Sequence, residues 1–169
     1  MKSCEIRQLE AMDFQGAEAL NSICTNLSFV GRNMKRFVIT SCTENEGKSS
    51  LVMHIMQNLA QRNKKVVVVD CDLRKSVMLS HFGIETRGEV TGLAHLLAGY
   101  NSLDDVIYAT NFPGAYLIPA GKDIANPMPL LDSPDFAQML EALSQSFDVV
   151  LLDAPPIGMV VDSAVIGRN

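Results

Sequence analysis

Residues 37–50 read FVITSCTENEGKSS, and this stretch decides the fold of the chain. Phe37 to Ile39 is a short apolar run of the kind found in strands that are buried on both faces of a sheet. A loop of small and polar residues follows from Ser41 to Gly47. Apolar residues then recur at helical spacing as far as Arg62, which predicts an amphipathic helix. The stretch therefore predicts a buried strand, a loop and a helix in direct succession.

The tripeptide Gly47-Lys48-Ser49 lies where the loop meets the helix, and it is suited to hold phosphate groups. Backbone N–H groups and the helix N-terminus supply positive potential, and the lysine can reach the β- and γ-phosphate oxygens. The serine hydroxyl can ligate Mg²⁺. The usual pattern has a further glycine where Cys42 stands, so the tripeptide alone leaves a chance match open. We predict that ATP or ADP binds with Mg²⁺ at residues 46–50, which include Glu46 and Ser50.

Two apolar runs end in acidic residues. Residues 67–74 read VVVDCDLR and place Asp70, Asp72 and Arg74 just past a predicted strand. Residues 149–153 read VVLLD and do the same with a third carboxylate. Each aspartate alone could be a cap at a strand end. Ligands of open α/β sheets bind at the carboxyl ends of strands, and Mg²⁺ prefers carboxylates together with phosphate oxygens. We therefore predict that the tripeptide and the three carboxylates converge on one sheet edge.

Strand and helix signals alternate along the chain, which predicts an α/β fold. Helical spacing of apolar residues covers roughly residues 13–29, and residues 116–118 and 149–152 are further predicted strands. Hydroxyl residues suited to cap helices are Thr91, Ser102 and Ser133. The pattern indicates a mostly parallel sheet of four strands with helices on both faces. We predict one P-loop domain over residues 1–169, with residues 1–33 as a helical segment leading into it.

Composition excludes several classes of protein. The 169 residues are 47% hydrophobic and 20% charged, which fits a chain with a buried core. The formal net charge of −5, without a basic stripe, argues against nucleic-acid binding. The four cysteines lack the CxxC spacing of zinc and redox sites. No apolar run approaches the roughly 20 residues that cross a bilayer. Without a signal peptide, we expect a cytoplasmic protein whose membrane association goes through a partner.

The three motifs together resemble the Walker A, Walker A′ and Walker B motifs of the bacterial tyrosine kinases (BY-kinases) of capsule and exopolysaccharide synthesis. The segments that carry this resemblance are residues 47–49, 66–74 and 149–156. Further matching segments are residues 18–27, 91–99 and 126–131. The resemblance therefore extends over about residues 15–165, and it implies the P-loop ATPase domain of that family.

The resemblance implies an ATP-dependent protein-tyrosine kinase, an autokinase that regulates capsular or exopolysaccharide synthesis and export. Its substrates would be protein tyrosines. It implies activation by the cytosolic tail of a membrane polysaccharide co-polymerase. The protein would then be cytoplasmic and held peripherally at the inner face of the cell membrane through this adaptor.

The matching positions also imply roles for individual residues. They give the catalytic residues as Lys48, Asp70 and Asp72, the metal-binding residues as Ser49, Asp72 and Asp153, and the nucleotide-binding residues as Glu46, Gly47, Lys48, Ser49, Ser50 and Arg74. Lys48 would hold the phosphates, and Asp72 and Asp153 would act on the metal partly through water. Asp70 would be the candidate base for the tyrosine hydroxyl. Positioning and charge neutralisation usually dominate phosphoryl transfer, so the base contributes less than the metal.

The sequence departs from the family pattern at several places. Glu44 and Asn45 replace the usual Pro-Gly of the loop, and Glu44 brings negative charge near the phosphates unless it points outward. Asn21 and Cys24 replace the two arginines of the family's ring interface, so we expect a monomer or weak dimer rather than an octamer. The family's sheet continues after the Walker B segment, so we expect this chain to be C-terminally truncated. The family's tyrosine cluster is absent, and we expect the three isolated tyrosines to be packing residues.

Two alternative functions stay open. One is an ATPase of the partitioning or cell-division type, in which ATP drives dimerisation. Such proteins usually carry a signature lysine early in the loop, where this chain has Thr43. The other is a non-enzymatic nucleotide-binding subunit that regulates polysaccharide export, which the altered loop and the missing tyrosine cluster favour.

Overall fold

The computed structural model describes residues 2–30, 34–157 and 162–168. Within these ranges one sheet has the strand order β2-β7-β3-β6-β5-β1-β4. The strands are β1 (Lys2–Ile6), β2 (Arg36–Ile39), β3 (Val66–Asp70), β4 (Ile84–Thr86), β5 (Tyr108–Ala109), β6 (Ala115–Ile118) and β7 (Val149–Asp153). The helices are α1 (Phe14–Phe29), α2 (Lys48–Gln61), α3 (Met78–His81), α4 (Leu93–Leu97), α5 (Leu103–Val106), α6 (Met128–Leu131), α7 (Pro134–Ser146) and α8 (Asp162–Arg168).

The four predicted strands form the parallel centre of the sheet. β3 pairs in parallel with β6 on one side and with β7 on the other, and β7 pairs in parallel with β2. All five residues of β3 are buried because apolar clusters cover both of its faces. Val66 and Val68 pack with α1, α2 and α3, whereas Val67 and Val69 pack with α4 to α8. This confirms the predicted α/β fold with helices on both faces of a mostly parallel sheet.

The prediction of four strands was wrong, because β1, β4 and β5 extend the sheet at one side. β1 pairs in parallel with β5 and antiparallel with β4, and β5 pairs antiparallel with β6. The segment over residues 1–33 is therefore not helical throughout, since it includes β1 before α1. β5 has only two residues, and the side chain of Asn111 prolongs the pairing by bonding both the N–H and the C=O of Ile6. Such short strands give no periodic signal.

Several local predictions can be compared with the structure. Ser133 caps α7 by accepting a hydrogen bond from Phe136 N at 3.3 Å, as predicted. α4 is capped at Gly92 rather than at Thr91, whose hydroxyl accepts a bond from Lys2 Nζ at 2.7 Å. Tyr108 is buried, but Tyr100 is 81% exposed and is not the packing residue that we expected. The sequence Gly31-Arg32-Asn33, which predicts the end of the first helix, lies outside the described residues.

β2 is the outermost strand at one end of the sheet, with β7 as its neighbour in the described residues. Phe37, Val38 and Ile39 are therefore only half-buried. The expectation of a strand buried on both faces was wrong for β2, although it holds for β3. No helix in the described part of the chain is long and apolar enough to span a membrane.

Candidate nucleotide-binding site

The loop between β2 and α2 is held in shape by its own side chains. The Glu46 carboxylate accepts hydrogen bonds from Cys42 N at 3.0 Å and from the Thr43 hydroxyl at 2.9 Å. Asn45 and Gly47 adopt positive φ angles of 61° and 81°. Asn45 thus takes the left-handed conformation that glycine would adopt more easily. Glu46, a predicted nucleotide-binding residue, braces the loop through these contacts.

Lys48, Ser49 and Asp153 meet where α2 begins and β7 ends. The ammonium group of Lys48 forms an ion pair with Asp153 Oδ1, and the Ser49 hydroxyl donates to Asp153 Oδ2 at 2.7 Å. The Lys48 side chain is 11% exposed and that of Asp153 is 3% exposed. Burial raises the pKa of Asp153, while Lys48 and the Ser49 hydroxyl act in the opposite direction. The residues predicted from two separate motifs are therefore in direct contact.

Asp70 and Asp72 occupy different environments although they are two residues apart. Asp70 is buried, and it accepts hydrogen bonds from the Ser76 hydroxyl and from Asp72 N. Burial raises the pKa of Asp70 to about 7, against the effect of the Ser76 bond. Asp72 is half-buried and accepts a bond from Lys75 N at 3.2 Å. Asp72 is therefore the member of the pair that borders the open cleft.

Arg74 borders the same cleft, but its guanidinium bonds to protein groups. Its Nε and one terminal nitrogen donate to the Asp162 carboxylate at 2.7 and 3.2 Å. The other terminal nitrogen donates to the carbonyl oxygen of Ala125 at 3.0 Å. The hydrogen bond to Asp162 raises the pKa of Arg74. Asp162 was not singled out from the sequence, because it stands outside every motif and 88 positions from its partner.

A cleft of about 600 Å³ runs along these elements, and Gly47, Lys48 and Ser49, the tripeptide predicted to hold phosphates, line it. Its wall includes the loop and start of α2, the segment after β3, α3, and the two prolines after β7. The lining residues are Ser41, Glu44, Asn45, Glu46, Gly47, Lys48, Ser49, Ser50, Asp72, Arg74, Lys75, Val77, Met78, His81, Phe82, Pro155 and Pro156. Seven of the nine predicted site residues thus line the cleft. The other two contact residues that do, because Asp153 bonds to Lys48 and Ser49 and Asp70 accepts from Asp72 N.

The donor groups of this cleft fit Mg²⁺ bound together with phosphate. In the described residues no group of three or more His, Cys, Asp or Glu side chains is arranged to hold a metal ion. Mg²⁺ does not need such a cage, because it usually keeps several waters and takes one or two carboxylates plus phosphate oxygens. The Ser49 hydroxyl and the carboxylates of Asp72 and Asp153 are hard oxygen donors of this kind. They would supply only part of a coordination shell.

Comparison with known sequences reveals clear relatives. A family model described as an AAA domain matches residues 38–167. Tyrosine-protein kinase CpsD of Streptococcus agalactiae is 41% identical over 151 residues, which cover 89% of this chain and 64% of that protein. Tyrosine-protein kinase CpsD of Streptococcus pneumoniae is 35% identical over 170 residues, which cover all of this chain and 74% of that protein. The chain therefore spans less than two thirds of the length of the S. agalactiae protein.

Comparison with solved structures also finds a tyrosine kinase domain among the similar proteins. The kinase domain of the Escherichia coli tyrosine kinase ETK superposes with a TM-score of 0.82 at 31% identity, covering 89% of this chain and 59% of that one. The septum site-determining protein MinD of Pyrococcus horikoshii, complexed with Mg-ADP, gives a TM-score of 0.64 at 25% identity, covering 78% of this chain and 53% of that one. The tyrosine kinase domain is thus the better match in both shape and sequence.

Proposed function

The chain belongs to the family of bacterial tyrosine kinases of capsule and exopolysaccharide synthesis, and on that premise we propose that it binds Mg-ATP and transfers the γ-phosphoryl group to protein tyrosines. The observation that carries this proposal is the contact of Lys48 and Ser49 with Asp153, in the same cleft that the half-buried Asp72 lines. These are a phosphate-binding cation and hard oxygen donors at the carboxyl ends of adjacent strands, where α/β sheets bind ligands.

Lys48 is the residue that would hold the phosphates. Its ammonium group has three N–H donors, of which one goes to Asp153 and one to Ser49 Oγ at 3.3 Å. The N–H groups at the start of α2 face the same cleft and favour negative charge. Mg²⁺, when bound, neutralises charge on the phosphates. The residues that would hold this Mg²⁺ are Ser49, Asp72 and Asp153. Because they are partly excluded from water, their attraction for a cation is stronger.

Asp70 is the candidate base for the acceptor hydroxyl. A general base acts best when its pKa lies near the working pH, and burial raises the pKa of Asp70 to about 7. Its carboxylate accepts from Asp72 N, beside the cleft that Asp72 lines, and from the Ser76 hydroxyl at Oδ2. Ser76 must turn away, or relay the proton, before Asp70 can accept one from a tyrosine. Asp72 would act mainly by helping to hold Mg²⁺.

The partner that fits this family is the cytosolic tail of a membrane polysaccharide co-polymerase, which would hold the kinase peripherally at the cytoplasmic face of the membrane. Regulation of capsular or exopolysaccharide synthesis would follow from the phosphorylation state. Tyr100 is the most exposed of the three tyrosines and is available as an acceptor in the chain itself.

A nucleotide-binding regulatory subunit without kinase activity is the second candidate. Glu44 lines the cleft and is exposed, so its negative charge opposes the binding of a triphosphate. A partitioning-type ATPase has less support, because Thr43 occupies the place of the signature lysine and bonds to Glu46 instead.

Phosphotyrosine formation separates these functions. The chain is incubated with Mg-ATP and a glutamate–tyrosine copolymer, alone and fused to the cytosolic tail of a polysaccharide co-polymerase, and phosphotyrosine is detected with a specific antibody. We expect a signal that depends on ATP and disappears in Lys48→Met. Binding of Mg-ADP without phosphotyrosine in either form would favour the regulatory subunit.

A further inference from the structure

We infer that Arg74 does not bind phosphate but acts as a positioning residue, which joins the segment after β3 to α8 and thereby fixes the spacing of the three groups that would hold Mg²⁺. We call its bonds to the Asp162 carboxylate the Arg74–Asp162 link. This inference rests on the proposed nucleotide site. It assigns a role to Asp162, which lies outside the three sequence motifs.

The link has the geometry of a strong ion pair. Nε and a terminal nitrogen of Arg74 donate to the two oxygens of Asp162 at 2.7 and 3.2 Å. Bidentate arginine–carboxylate pairs are stronger and more directional than single contacts. The second terminal nitrogen donates to Ala125 O, and Ile124 N donates to Leu73 O at 2.7 Å beside it. Arg74 therefore joins the segment after β3 both to α8 and to the segment that contains Ile124 and Ala125.

The burial of Asp162 prevents Arg74 from leaving. The Asp162 side chain is 2% exposed and the Arg74 side chain is 36% exposed. A buried carboxylate that loses its cationic partner is strongly destabilising. If Arg74 swung toward a phosphate, Asp162 would be left in that state. An arginine near a triphosphate is commonly expected to neutralise the charge of the phosphates. Here the guanidinium of Arg74 is already paired with the Asp162 carboxylate.

Further bonds connect α8 to the phosphate-binding loop. The carbonyl oxygen of Pro155, two residues after Asp153, accepts from the Ser163 hydroxyl on α8 and from the Thr40 hydroxyl at 2.8 Å. Ile157 N donates to Ser41 O at 2.9 Å. The loop after β2, the end of β7 and the segment after β3 are thus joined through α8. The loop after β2 leads to Ser49 on α2, Asp153 is the last residue of β7, and Asp72 lies in the segment after β3.

Residues that orient metal ligands from behind typically contribute 10- to 100-fold to metal affinity. The test therefore compares ADP affinity by calorimetry in excess Mg²⁺ and in EDTA, and takes the ratio as the gain due to the metal. Arg74→Lys keeps the charge but loses the bidentate geometry. Asp162→Asn removes the negative charge of the partner of Arg74. Arg168→Lys is the matched control, because Arg168 also lies on α8 and pairs with an aspartate, Asp132, at the exposed surface.

We expect Arg74→Lys and Asp162→Asn each to lower the gain from Mg²⁺ by about tenfold and to leave ADP affinity in EDTA unchanged. The double variant should be no worse than either single one, because both break the same link. Arg168→Lys should behave as the parent.

Two results would contradict the positioning role of the Arg74–Asp162 link. If Arg74 binds phosphate, Arg74→Lys lowers ADP affinity in EDTA as well, and Asp162→Asn raises it by freeing the arginine. A metal gain in Arg74→Lys equal to that of the parent also contradicts the link, even if Asp162→Asn fails to fold. Absence of any ADP binding by the parent would instead refute the nucleotide site itself, and the link with it. Thermal unfolding of each variant identifies those that do not fold.

Discussion

Asp70 and Asp153 are register partners at the last positions of the adjacent parallel strands β3 and β7. Both carboxylates are buried, and burial raises the pKa of each. The cation beside them is Lys48, which is nearly buried and pairs with Asp153. Asp70 is bonded only to neutral groups, the Ser76 hydroxyl and a backbone N–H. The charge of Asp70 is therefore the less compensated of the two.

The stability of the protein should fall as the pH rises toward neutrality, and Asp70 should account for much of this. The pKa of Asp70 is about 7 in the fold against an ordinary 3.8, so between these values the folded state binds more protons than the unfolded one. Stability is then fully present below the lower value and is lost as pH rises through the upper one. The difference amounts to about 4 kcal/mol.

Asp70→Asn should flatten this dependence, because the amide cannot ionise. The measurement is the free energy of urea unfolding at about pH 4 and about pH 8. Asp132→Asn, at the exposed surface, serves as the control and should keep the parental slope. Equal slopes in Asp70→Asn and in the parent would show that Asp70 is already ionised at low pH in the fold.

Lys48→Met should weaken nucleotide binding by at least thirtyfold and should also destabilise the fold. Loss of a buried charged contact costs about 2 kcal/mol or more, roughly thirtyfold in ADP affinity. The same change leaves Asp153 buried with only the Ser49 hydroxyl, at a cost of about 3 kcal/mol in unfolding free energy near neutral pH. The double variant Lys48→Met/Asp153→Asn should recover stability but not binding. Parental ADP affinity in either variant, measured by calorimetry, would show that the site is assigned to the wrong residues.

The centre of the sheet and the convergence of the motifs could be predicted from the sequence. β3 consists of four valines and Asp70, and a run of β-branched residues suited to a strand covered on both faces is a strong local signal. The contact of Ser49 with Asp153 follows from the rule that parallel strands bring their carboxyl ends to one edge.

Other features have no local signal. β1 alternates between buried and exposed positions over only five residues, and its place in the sheet depends on β4 and β5, which are shorter still. The Arg74–Asp162 link joins residues 88 positions apart, and nothing near Asp162 marks it as a partner. The motif alone made Arg74 look like a nucleotide ligand, and only the three-dimensional contacts reveal where its guanidinium bonds.

The protein should be monomeric at micromolar concentration. Cys24 is fully buried against α2, and Asn21 accepts hydrogen bonds from Asn58 on that helix and from Arg62 directly after it. The side chains at the positions of the two missing arginines therefore contact α2 and Arg62 of the same chain, and neither carries the positive charge of an arginine. Light scattering measures the mass, and Glu18→Ala should not change it. An octamer that dissociates on this substitution would contradict the expectation.

At higher concentration the outer edge of β2 should mediate association. Lys35 O accepts from Val150 N and Ile39 O accepts from Ala154 N, so the odd-numbered residues of β2 bond to β7. The N–H of Val38 then points away from β7, to the side where the described residues provide no strand. An apolar strand edge that no other strand covers invites pairing with another chain.

Val38→Pro should suppress this association while leaving the pairing of β2 with β7 in place. Proline removes the outward N–H, and edge strands tolerate it where the N–H does not belong to the ladder. Phe37→Pro is the matched control, because position 37 faces β7 and its change should destabilise the fold by about 3 kcal/mol. Sedimentation over a range of concentrations measures association, and urea unfolding measures stability. If Val38→Pro associates as strongly as the parent, the contact lies elsewhere, and the exposed apolar residues Phe29, Val30 and Met34 near the start of β2 become the surface to substitute next.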